Sequence, residues 1–126
     1  MTKLLTLSLC ELLPYKTICK DYETNFTGIL GQVDTNFGIV GIKGTNTSMV
    51  GYIHYCKPYL FPLSSMTEDQ EIIYGDFVYG IVSSNPLETQ KRINELYDWL
   101  NKNHFDWRGL IPMGLAIDAT INNPYK

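Results

Sequence analysis

Between Phe26 and Cys56 the chain alternates β-favouring residues with glycines, and Gly28, Gly31, Gly38, Gly41, Gly44 and Gly51 recur through the segments FTGILGQV, FGIVGIKG and MVGYIHY. This pattern constrains the fold more than any other feature. Glycine inside a strand marks a bulge, strong curvature or a close approach of backbones. Asp34, Thr35 and Asn36 part the first two segments with turn-forming residues and predict a hairpin. The break from Gly44 to Ser48 leads into a further strand, on which alternation puts Val50, Tyr52, His54 and Cys56 on one face. The expectation is a small curved sheet or partial barrel.

The flanking segments complete the reading. Ser8 and Glu11 match a capping box that starts a helical turn, which Pro14 stops. Tyr15 to Lys20 alternates as a half-exposed strand with Tyr15, Thr17 and Cys19 on one face. KPYLFPLSSMTEDQ, with two prolines and a polar cluster, predicts a loop, and EIIYGDFVYGIVS predicts a return to β structure with a turn or bulge at Gly75 and Asp76. Asn85, Pro86 and Glu88 supply a cap, a first helical residue and a capping-box partner, so a helix is predicted to about Asn103. Its apolar stripe is Leu87, Ile93, Leu96, Tyr97 and Leu100, with Lys91, Arg92, Asn94, Glu95, Asp98 and Asn101 toward water. The closing segment predicts a short helical turn from Asp106 and then irregular chain to Ile117. The fold class is α+β: a curved antiparallel sheet of roughly five to six strands with one packed helix in the C-terminal half, as a single domain over residues 1–126.

Composition narrows the function classes. A chain of 126 residues that is 44% hydrophobic can bury one ordinary core, about two-thirds of its unfolded surface. A net charge of -3, with lysines scattered singly, speaks against duplex nucleic acid as a partner. No run approaches the roughly 18 apolar residues of a membrane span, and the apolar start is broken by Thr6, Ser8 and Glu11 without a cleavage site, so no membrane association is expected. Cys10, Cys19 and Cys56 are an odd set without CxxC spacing, which places the chain in the reducing cytoplasm. The NFT and NTS strings at Asn25 and Asn46 are read as turns.

Chemistry-bearing patterns are sparse. His54 and Cys56 could ligate a metal together, with Cys19 as the third ligand within reach; without further spacing no metal and no cofactor is expected. Cys56, His104 and Asp106 form a nucleophilic triple on paper only, and neither GxSxG, a P-loop nor GxGxxG occurs, so catalysis is not expected. Nine tyrosines offer rings that stack on a planar base, with Lys57 or Arg108 to take a phosphate. The candidate ligand-binding residues are Tyr52, His54, Tyr55 and Lys57 at one end of the sheet, with Trp107 and Arg108 folding over them from the C-terminal segment.

The strings LLPYKTICK, YCKPYLFPLSSM and WLNKNHFDWRGLIPMGLAIDA, followed by NPYK, resemble a group of short phage and prophage proteins of gut bacteria that carry LPYGLK, KPLLRPLSDL and WHFDVFGLIDKGLAID in that order. Phe61 and Ser65 stand where that pattern has Arg and Asp, and Pro112 and Met113 where it has an acidic residue and a lysine. The resemblance implies an accessory role in the host-cell cytoplasm. By analogy with small phage proteins that disarm host defences, the expectation is non-catalytic sequestration of a small nucleotide-type immune signal by a homo-oligomer. The alternatives are an enzyme that degrades such a signal and a structural or host-protein-binding factor.

Overall fold

In a computed structural model, which describes residues 2–126, the elements in chain order are helix α1 (Thr2–Leu12), strands β1 (Ile18–Asp21), β2 (Thr27–Asp34), β3 (Ile39–Lys43), β4 (Ser48–Tyr52) and β5 (Cys56–Leu60), helices α2 (Glu68–Ser83) and α3 (Pro86–Lys102), and a short β6 (Ile117–Asp118). The sheet order is β4-β3-β2-β1-β5-β6. All neighbours are antiparallel except β5 and β6, which run parallel, so the sheet is mixed and open. Three-residue 3-10 turns at Leu13–Tyr15, Ile53–Tyr55 and Leu63–Ser65 link the elements. No helix among the described residues is long and apolar enough to cross a membrane.

The α+β class, the β2–β3 hairpin and the curvature agree with the sequence pattern. A bulge between Leu30 and Gln32 falls at Gly31. Curvature is forced most directly at Gly51, where a Cβ would stand 2.7 Å from Asp21 Oδ1 and 3.3 Å from Met49 Cε. Strand β4 therefore lies against β1 across the concave side, although two strands separate them in the sheet. Into that concavity α1 inserts Leu5 and Leu9, which meet Cys19, Leu30, Val40, Ile42, Ile53 and Cys56. A second cluster joins Leu12, Leu60, Leu110 and Ala116, and a third joins Leu96, Leu100 and Phe105 to Tyr74, Phe77 and Ile81 of α2.

Several sequence expectations are corrected. Residues 68–83 form a helix, not a strand: Thr67 accepts from the Gln70 N–H and Gln70 Oε1 accepts from the Thr67 N–H, a capping box that outweighs the β-favouring Ile, Val, Tyr and Phe. Residues 56–60 are a strand, not a loop. Pro58 is tolerated because β6 pairs only with Tyr59 and Leu60, leaving that side of Pro58 without a ladder partner. Helix α1 starts at Thr2 rather than at Ser8, whose hydroxyl donates to the Leu4 carbonyl within the helix. Asn85 does cap α3, accepting from the Glu88 N–H, while the Glu88 carboxylate pairs with Arg92. Leu87 is exposed and Asn101 buried, the reverse of the predicted stripe, because α2 covers one side of α3 and Trp107 reaches Asn101.

Gly51→Ala should therefore lower stability by about 1–3 kcal/mol through overpacking, whereas Gly41→Ala, whose Cβ would meet Gln32 Cβ at an ordinary 3.4 Å, should change it little. Urea midpoints of the two variants check this.

Candidate functional site

Burial alternates along β1 and β5. Cys19, Asp21, Cys56 and Pro58 are buried toward α1, and Lys20 and Lys57 stand on the other, convex face. The register places Lys20 directly opposite Lys57. Both ammonium groups lean over the ring of Tyr22, Lys57 Nζ at 4.7 Å and Lys20 Nζ at 5.2 Å from its centroid. Among the described residues neither lysine is ion-paired with a carboxylate. Tyr22 donates its backbone N–H to the Tyr55 carbonyl at 2.9 Å, so Tyr55 lies across from it. Tyr55 begins a short aromatic run, with His54 at 4.3 Å from its ring and Tyr52 stacked at 5.6 Å on His54.

Four of the six sequence-predicted residues, Tyr52, His54, Tyr55 and Lys57, thus belong to the neighbourhood of the cation pair. His54 sits in the 3-10 turn and is exposed, while Cys56 opens β5 and is buried, so the two do not share a strand face. Cys56 instead meets Cys19 in the core; the hydrogen bond between them, together with burial, pushes the Cys19 thiol well up. Lys20 and Tyr22 were missed. Alternation marks Lys20 as outward-facing, but its partner strand was hidden by prolines.

Trp107 and Arg108 lie elsewhere. They line a cleft with Glu11, Asn101 and Leu60, the last residue of β5, whereas Lys57 is near its start. Arg108 donates to Glu11 at 2.6 Å and stacks its guanidinium on the Trp107 ring at 4.3 Å, and Trp107 donates its indole N–H to Asn101 at 2.8 Å. Asp106 accepts from the N–H groups of Leu110 and Ile111 and so closes a loop; the helical turn expected from Asp106 does not form, since residues 106–116 run through turns. These groups clamp the C-terminal segment to α1 and α3, and the arm does not fold over the lysine pair.

A third polar cluster surrounds His104, which ends α3 in the left-handed region at φ 60°. The Phe105 N–H reaches the Leu100 carbonyl and the His104 N–H the Asn101 carbonyl, a Schellman ending that usually takes glycine. The imidazole is held by the Tyr15 carbonyl at 3.0 Å and by a near-parallel stack on Tyr125 at 4.1 Å. The Tyr15 hydroxyl donates to Asp98, and this bond, with burial, pushes its pKa up to about 12. Burial also pushes the Tyr125 hydroxyl up, where it accepts from the Ile18 N–H and donates to the Tyr59 carbonyl.

Among the described residues no group of three or more His, Cys, Asp and Glu side chains is placed to hold a metal. Comparison of the chain with protein-family models, with curated proteins and with solved structures gave no match.

Burial lowers the His104 pKa below 6.5 despite the Tyr15 carbonyl. The unfolded chain then takes up this proton before the folded one does, so this contribution is full above pH 6.5 and falls as pH drops toward the folded value. His104→Asn, which tolerates the left-handed backbone, should flatten the stability profile just below pH 6.5 relative to the wild type; chemical denaturation across that interval measures it.

Proposed function

We propose that this chain is a non-catalytic binding protein for a small nucleotide-type anion, held on the convex sheet face by Lys20 and Lys57 with Tyr22, Tyr55, His54 and Tyr52 beside them. The observation that supports this reading is the register pair of two lysines without carboxylate partners among the described residues. Like charges directly opposite on neighbouring strands destabilise a sheet. An anion between them turns that repulsion into two charge-assisted hydrogen bonds. Tyr22 and the run from Tyr55 to Tyr52 add exposed rings, which suit a planar base. The set supplies charge and stacking, and the lysine and tyrosine side chains in it need do no chemistry to hold such a ligand. In the phage setting that the sequence resemblance suggests, binding of this kind would sequester a host nucleotide signal.

A thermal-shift series with ADP-ribose and cyclic dinucleotides, compared with uncharged nucleosides, tests the reading. The phosphorylated compounds should raise the melting temperature, and mass spectrometry should recover them intact. Lys20→Ala and Lys57→Ala should each weaken binding by about tenfold, while the ligand-free variants keep or slightly gain stability because a like-charge pair is relieved. Binding that both variants retain at wild-type strength, or the absence of any shift, overturns the reading. Turnover of the ligand would instead make the protein an enzyme.

A further inference from the structure

The second helix carries two apolar faces and the fold uses one. Tyr74, Phe77 and Ile81 pack against α3 and Phe105. On the other side Ile72, Tyr79 and Val82 are 58%, 75% and 79% exposed, with Val78 beside them. Gly75 lies in the same row, and a Cβ built on it would have nothing within 4 Å. Residues 72, 75, 79 and 82 are spaced by three, four and three, the a and d positions of a coiled-coil seam.

We infer that this face is the contact between two copies of the chain, packed as an antiparallel α2–α2 pair about a two-fold axis near Phe77. The row is self-complementary under that operation. In a single register Ile72 of each copy meets Val82 of the other, and the large Tyr79 ring of each enters the gap over Gly75 of the other. An isologous contact requires this reciprocity, and a chance apolar patch has no reason to offer it. The exposed apolar side chains amount to roughly 400 Å² per copy, about half of what each partner buries in a standard interface. The dimer is accordingly a modest one, populated in the micromolar range rather than obligate.

Sedimentation equilibrium over a concentration series distinguishes this contact from nonspecific stickiness, and it is independent of the proposed lysine site. The wild-type chain should show a reversible monomer–dimer equilibrium. Val82→Glu should abolish it, and because Val82 is exposed the monomer should keep its fold by circular dichroism. Gly75→Leu is the decisive variant: it adds apolar surface and helix propensity in open space, yet it fills the gap that Tyr79 needs, so dimerisation should weaken by at least about tenfold. A Gly75→Leu chain that associates as strongly as the wild type or more strongly, or a wild-type chain that stays monomeric at high micromolar concentration, overturns the inference.

Discussion

The contact between Gly51 and the buried Asp21 carboxylate sets much of the remaining geometry. Because β4 carries no side chain at that point, the sheet can curl until β4 stands against β1. Three residues, Ile53 to Tyr55, then suffice to carry the chain from the end of β4 to the start of β5. Without the curl such a short turn could not pass three intervening strands, since each residue spans at most about 3.6 Å. The same turn delivers β5 alongside β1 and so brings Lys57 opposite Lys20. Asp21 pins its end of β1 by accepting from the Thr24 N–H and hydroxyl through Oδ2, while Oδ1 faces Gly51.

The parts of this architecture that were legible in the sequence are those set by local chemistry. The glycine-spaced alternation of β2 and β3, the Asp34 turn that receives the N–H groups of Asn36 and Phe37, and the Asn85 cap all act within a few residues. Misread elements are those decided by distant partners. Helix α2 is an exception, because its Thr67–Gln70 capping box is local and stands in the sequence; its β-branched and aromatic residues masked that signal, and only the packing against α3 is a distant contribution. Strand β5 contains a proline that argues against a strand until the shortness of β6 is known. Half of the site followed the same division. Tyr52, His54, Tyr55 and Lys57 are close in sequence and could be grouped by eye, whereas the pairing of Lys57 with Lys20 joins strands almost forty positions apart. Trp107 and Arg108 are also neighbours in sequence, but their partners Glu11 and Asn101 place them in a clamp that sequence spacing does not reveal.

Charge is segregated in a way that the net value of -3 conceals. Lys20, Lys43 and Lys57 belong to the sheet together with Asp21, Asp34 and Asp118, which stand at the ends of their strands, whereas Glu68, Asp69 and Glu71 cluster at the start of α2. Positive charge is thus concentrated locally, where Lys20 stands opposite Lys57, and not over the sheet as a whole.

Pro58 has a consequence beyond hiding β5 from sequence reading. A strand flanked on one side by only two paired residues is an exposed template, because its free N–H and C=O groups can recruit a strand from another molecule. Proline offers no N–H at that position, and the N–H of Cys56, two residues earlier, is taken by the Ile53 carbonyl. The stretch that β6 leaves uncovered thus presents no free donor at these two positions, so growth of the sheet from one molecule into the next is opposed at its weakest margin.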